Sequence, residues 1–129
     1  MKIAMVEDDT GYADGFRHVC EFYGHHVKRF RDAKDALRNL KSLGDCDVVV
    51  TDLLMPGTSE TASAGADTGV ALAKRIAKEF PALPIVLLTV LARHEIRGLG
   101  PDLKFLYLRK GPSFVELVKQ IEAYAITQS

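Results

Sequence analysis

The sequence predicts an α/β fold, a parallel sheet covered by helices on both faces. Three observations predict it. Short apolar runs rich in Val, Ile and Leu alternate with longer segments of helical period. The strongest of those runs lack apolar–polar alternation, as strands buried on both faces do. A length of 129 residues, with 47% hydrophobic and 26% charged residues, fits one soluble domain around one core rather than a disordered or fibrous chain.

The elements follow in order. Residues 3–6 read as the first strand, and Tyr12, Phe16, Val19, Cys20 and Tyr23 recur at helical spacing until Gly24, which is placed to end the helix in a left-handed cap. His26–Phe30 is the second strand. Ala33, Ala36, Leu37 and Leu40 predict one further helix before Gly44, and Val48–Thr51 is the third strand. Residues 57–67 are small and polar with no apolar period, so 58–67 reads as an inserted mobile loop, longer than ordinary connections of about 2–6 residues. Ala73, Ile76, Ala77 and Phe80 predict a helix that Pro81 ends, and Ile85–Thr89 is the fourth strand. Residues 92–97 allow one or two helical turns before Gly98, Gly100 and Pro101. A fifth strand at 105–108 precedes a C-terminal helix with Ser113 and Glu116 as its capping box and Phe114, Leu117, Val118 and Ile121 as its apolar face.

Composition excludes several classes. Seventeen basic residues balance seventeen acidic ones, which gives no bulk attraction to nucleic acid or to an anionic membrane. No apolar stretch reaches the roughly 18 residues of a membrane span, and the N-terminus lacks a signal-peptide pattern, so a cytoplasmic protein without membrane insertion is expected. Cys20 and Cys46 lack C-x-x-C spacing and read as reduced, packed thiols, Cys20 on the apolar stripe of the first helix. His18, His25, His26 and His94 read as solvated residues rather than metal ligands. Arg93, Arg97 and Arg109 form no run with aromatics and read as a solvated face.

Chemistry concentrates at the carboxyl ends of the strands, where open α/β sheets bind their ligands. The first strand ends in Glu7-Asp8-Asp9, the third in Asp52, the fourth in Thr89, and Lys110 follows the fifth. If those strands are neighbours, one shallow pocket holds three or four acids, a hydroxyl and an ammonium. Crowded carboxylates need raised pKa values or a bound cation. Oxygen ligands in small number suit Mg²⁺, and the lysine and threonine beside them suit a phosphoryl group. Asp52, ionised at neutral pH, can itself be the nucleophile. Asp9 alone reads as a helix cap.

Taken together, Ile3-Ala4-Met5-Val6-Glu7-Asp8-Asp9, Val48-Val49-Val50-Thr51-Asp52-Leu53-Leu54-Met55-Pro56-Gly57, Leu87-Leu88-Thr89 and Tyr107-Leu108-Arg109-Lys110 resemble the response-regulator receiver (CheY-like) domain of two-component signalling. The resemblance covers essentially the whole chain. It implies a flavodoxin-like topology with strand order 2-1-3-4-5, one receiver domain over residues 1–129, and no output domain. It also implies that Asp52 accepts a phosphoryl group from a histidine kinase or phosphotransfer protein. Asp8, Asp52 and the Leu54 backbone carbonyl would ligate Mg²⁺, with Glu7 as the indirect acidic partner. Thr89 matches the switch hydroxyl, Lys110 the cation that pairs with the phosphoryl group, and Tyr107 the aromatic that changes rotamer. Output would pass to a downstream effector protein or through a homodimer, without substrate turnover.

The chain departs from the family pattern in four places. Gly111 stands where the family usually has a proline after the lysine, and Val90 where a small residue is common. Leu54 and Leu91 flank the pocket without a polar group to position water, which predicts slow self-dephosphorylation. The alternative reading is a degenerate receiver that binds partners without phosphorylation. An aspartate-nucleophile phosphatase is disfavoured because Leu54 occupies the position its second acid would need. A flavin protein is disfavoured because Glu7-Asp8-Asp9 replaces the phosphate loop.

Overall fold

In the computed structural model, which describes residues 1–55, 66–96, 98, 104–111 and 113–128, five strands form one parallel sheet. They are β1 (Lys2–Val6), β2 (His26–Phe30), β3 (Val48–Thr51), β4 (Ile85–Thr89) and β5 (Leu106–Arg109), in the order β2-β1-β3-β4-β5. The expected order is therefore the observed one. Register pairs Val6 with Thr51 and Thr89 with Arg109, so the carboxyl ends of β1, β3, β4 and β5 lie along one edge. The fifth strand sits one residue later than predicted, which places Lys110 directly after it.

The helices are α1 (Thr10–Phe22), α2 (Ala33–Arg38), α3 (Leu40–Gly44), α4 (Ala66–Glu79) and α5 (Phe114–Gln128), with a single 3₁₀ turn at Arg93–Glu95. Side chains alternate across the strands as a two-residue period requires. Ala4, Val6, Val49 and Leu87 face Ala33, Ala36, Leu43, Leu72 and Ile76 on one side. Ile3, Met5, Val50 and Leu88 face Phe16, Cys20, Leu117 and Ile121 on the other. The central strands β1, β3 and β4 are thus buried on both faces, which is why their sequences show no polar alternation, whereas the edge strand β2 is partly exposed.

The caps account for the helix ends. Asp9 accepts a hydrogen bond from the Tyr12 amide at 3.1 Å and starts α1, while Gly24, at φ +86°, ends it as its position predicts. Ser113 accepts from the Glu116 amide at 3.3 Å and starts α5.

Three expectations need correction. The helix expected to run unbroken past Leu37 and Leu40 is broken at Asn39 into α2 and α3. The Asn39 side-chain amide donates to the Asp35 carbonyl at 2.9 Å, and its backbone leaves helical geometry at φ −117°, ψ 35°. The loop expected over 58–67 ends earlier, because Ala66 and Asp67 belong to α4. The remainder of that loop lies outside the described residues. His25 is not a solvated turn residue. Its Nδ1 lies 3.0 Å from the Met1 amino nitrogen and its Nε2 3.1 Å from Glu122 Oε1, so it links the start of β1 to α5.

Candidate functional site

The sheet builds the site by extending its ladder one residue past the strands. Glu7 donates its amide to the Phe30 carbonyl at 3.0 Å, Asp52 to the Val6 carbonyl at 2.9 Å, and Lys110 to the Thr89 carbonyl at 2.7 Å. Glu7, Asp52 and Lys110 are therefore pinned to the ends of neighbouring strands. Glu7, Asp52 and Thr89 are buried, and Asp8 is exposed.

Carboxylate oxygens of Glu7, Asp8 and Asp52 all lie within 4.8 Å of one another, a geometry three ligands to one ion can have. Asp52 Oδ1 accepts from the Leu53 amide at 2.7 Å and the Leu54 amide at 3.3 Å, which fixes the carboxyl plane. Its Oδ2 faces Lys110 Nζ at 3.3 Å, and the same ammonium donates to Glu7 Oε1. Burial pushes the Glu7 carboxyl up to about 7; Lys110 opposes that rise and the Asp52 charge adds to it. Burial alone would lower the Lys110 ammonium, but its hydrogen bond to Glu7 and the charges of Asp52 and Glu7 outweigh burial and raise it.

In this arrangement Lys110 partly neutralises two buried acids and leaves Asp8 open to solvent. A hard divalent cation fits the remaining demand, since the cluster offers only oxygen ligands and gathers more negative charge than one lysine balances. Thr89 Oγ1 accepts from the Leu91 amide at 3.2 Å, and Tyr107 donates its hydroxyl to the Leu91 carbonyl. Leu91 therefore ties the threonine and the tyrosine to one short segment. Leu54, two residues after Asp52, and Val90, next to Thr89, are exposed at 37% and 53%.

Three residues of the site were missed by sequence reasoning. Arg29 on β2 donates Nε and Nη2 to the Glu7 carbonyl at 3.1 and 3.0 Å, and Nη2 to the Asp8 carbonyl and Thr10 hydroxyl at 3.3 Å, clamping the acidic loop. Nothing in its local sequence signals this. Gly69 in α4 packs on the Asp52–Leu53 backbone and donates its amide to the Leu53 carbonyl at 3.2 Å. An isolated glycine inside a helical stretch was the available signal. Tyr12, read only as part of an apolar stripe, has its ring 4.2 Å from Lys110 Nζ.

The family model described as the response regulator receiver domain matches residues 3–122. The receiver domain of Francisella response regulator 1452 is similar at 26% identity and a TM-score of 0.77, over 99% of this chain and 98% of that one. A signal receiver domain of a signal transduction histidine kinase from Syntrophus aciditrophicus is 26% identical with a TM-score of 0.77, over 98% and 90% of the two chains. The response regulator TrrA from Thermotoga maritima, solved in complex with Mg²⁺-BeF, shares the fold at 24% identity and a TM-score of 0.77, over 95% and 97%.

Proposed function

The chain belongs to the response-regulator receiver domain family of two-component signalling, and on that premise we propose that it is a phosphorylation-dependent switch with Asp52 as phosphoacceptor. The observation that carries this reading is the Lys110 ammonium shared between Asp52 and buried Glu7, which with Asp8 make three carboxylates gathered at the ends of adjacent parallel strands.

Asp8, Asp52 and the Leu54 backbone carbonyl would hold Mg²⁺, with Glu7 acting indirectly. Mg²⁺ bound there would offset phosphoryl charge during transfer. Asp52 attacks the phosphorus of the donor with one carboxylate oxygen; a P–O bond forms as the bond to the phosphohistidine nitrogen breaks, and that nitrogen keeps the electron pair. The Leu53 and Leu54 amides orient the carboxylate for that attack. Lys110 pairs with the incoming oxygens and gives up part of its contact with Glu7.

Thr89 Oγ1 accepts from the Leu91 amide and keeps its O–H free to donate to a phosphoryl oxygen, and a shift of the side chain toward that oxygen would exchange the Leu91 contact for the phosphoryl one. Leu91 also accepts from Tyr107, so this exchange offers a direct path to the surface around β4, β5 and α5. The donor is a histidine kinase or phosphotransfer protein, and output passes to an effector protein or a second copy of the chain. No helix among the described residues is long and apolar enough to cross a membrane.

The test is the amide NMR spectrum with Mg²⁺, with and without beryllofluoride, on the wild type and Asp52→Asn. Saturable shifts at Asp8, Asp52, Thr89 and Lys110 that vanish in the variant are expected. A folded protein that does not respond would overturn the phosphoacceptor role and leave a phosphorylation-independent interaction module. Turnover of a small phosphate ester abolished by Asp52→Asn would point instead to a phosphatase.

A further inference from the structure

Lys110 bears the amine assigned above to the phosphoryl group, yet its backbone runs into Gly111 at φ +131°, with open space where a Cβ would stand. A glycine in that conformation supplies little stiffness to aim the preceding side chain. The aim comes from across the fold. Lys110 Nζ lies 4.2 Å from the centroid of the Tyr12 ring, in the first turn of α1. Phe114, which opens α5, meets that ring edge-on at 5.1 Å and also meets Phe16 at 6.3 Å.

Gly15 lets this stack close, because a Cβ there would come within 2.8 Å of the Phe114 ring. The Tyr12 hydroxyl is buried and has no hydrogen-bond partner among the described residues, so it takes no part in holding the lysine. The ring face does. We propose that Tyr12 is a positioning residue for phosphoryl acceptance, its ring holding the Lys110 ammonium over the Glu7–Asp52 pair.

The proposal rests on the phosphoacceptor reading and adds a physical reason for an aromatic at this site. Attraction between an ammonium and a ring face is broad in direction, whereas a hydrogen bond is not. The lysine can thus turn from Glu7 toward phosphoryl oxygens without losing its support.

The experiment compares wild type, Tyr12→Phe and Tyr12→Leu, each checked for an intact amide spectrum, with Tyr12→Met in reserve if the leucine variant does not fold. NMR of the Lys110 side chain reads the ring-current shift directly in metal-free protein. Phosphorylation by acetyl phosphate with Mg²⁺ reads the consequence, and Mg²⁺ affinity is titrated separately. Tyr12→Phe is expected to match wild type in all three. Tyr12→Leu is expected to lose the ring-current shift and to slow phosphorylation about three- to tenfold at unchanged Mg²⁺ affinity.

Wild-type phosphorylation rates in the leucine variant, a phenylalanine variant as slow as the leucine one, or no ring-current shift in the wild type would each overturn the proposal. A wild type that keeps the shift but accepts no phosphoryl group would refute the phosphoacceptor reading, and the proposal with it.

Discussion

A Cβ placed on Gly69 would lie 2.2 Å from the Cα of Leu53, the residue directly after Asp52. The close approach seats the first turns of α4 against the backbone that carries the acceptor carboxylate. Gly→Ala inside a helix ordinarily stabilises by about 0.5–1 kcal/mol. Here the obstacle is backbone, which cannot turn aside as a side chain can. We therefore expect Gly69→Ala to destabilise by about 1–3 kcal/mol and lower Tm by roughly 3–10 °C, measured by thermal unfolding. It should also perturb the Leu53 and Leu54 amides that hold Asp52 Oδ1. A neutral or raised Tm would show that the segment gives way.

The strands and most helices were legible because their signals are local. Val48–Thr51 and Ile85–Thr89 announce buried strands within a few residues, and Asp9, Gly24 and Ser113 mark helix ends. The acids were legible because strand ends predict where they meet. Arg29 was not, since its contacts with Glu7 and Asp8 depend on the β1–β2 register that pairs it with Met5. Tyr12 and Lys110 meet only because the start of α1, just after β1, and the end of β5 lie at the same carboxyl end of the sheet. Asn39 breaks a helix that its apolar neighbours continue, a contest between side-chain and main-chain hydrogen bonding that periodicity does not register. His25 was misread because its partners, Met1 and Glu122, lie at opposite ends of the chain.

Gly111 allows a cleaner backbone test, since nothing lies within 4 Å of a Cβ built there. Any cost of Gly111→Ala must come from φ +131°, a region that L-residues avoid. A loss of about 1–2 kcal/mol in urea unfolding is expected. D-alanine introduced at the same position by semisynthesis should cost less than L-alanine, because a positive φ is the favoured hand for a D-residue. Equal effects of the two alanines would mean the loop does not hold this conformation in solution.

Cys20 is fully buried against the α5 side of the sheet, and burial pushes its thiol up to about 12, with the charges of Glu122 and Glu21 adding to the rise. The thiolate is the species that alkylates. With iodoacetamide at mildly alkaline pH, half-buried Cys46 should label first. Cys20 should label at least about 100-fold more slowly than in denaturant. Peptide mass mapping over time distinguishes the two. Rapid native labelling of Cys20 would contradict its place in the core.

If Asp52 is the phosphoacceptor we propose, Leu54 and Leu91 are the positions we expect to set how long the phosphoryl group lasts. Their backbones are already engaged: the Leu54 amide binds Asp52 Oδ1, the Leu91 amide binds Thr89 Oγ1, and the Leu91 carbonyl accepts from Tyr107. Their side chains are apolar: Leu54 is exposed, Leu91 packs partly buried against the core, and Val90 stands exposed between Thr89 and Leu91. Hydrolysis needs a water held in line with the phosphorus, and a side chain that orients it or takes its proton speeds that step. Neither leucine can do either. The phosphoryl group should therefore be long-lived once the donor is removed. Leu54→Asn and Leu91→Glu should each shorten that lifetime by about tenfold or more, followed by the return of the Thr89 and Lys110 amides to their unphosphorylated positions. A lifetime that neither substitution shortens would place control of hydrolysis elsewhere in the pocket, with the Lys110–Glu7 pair the next group to test.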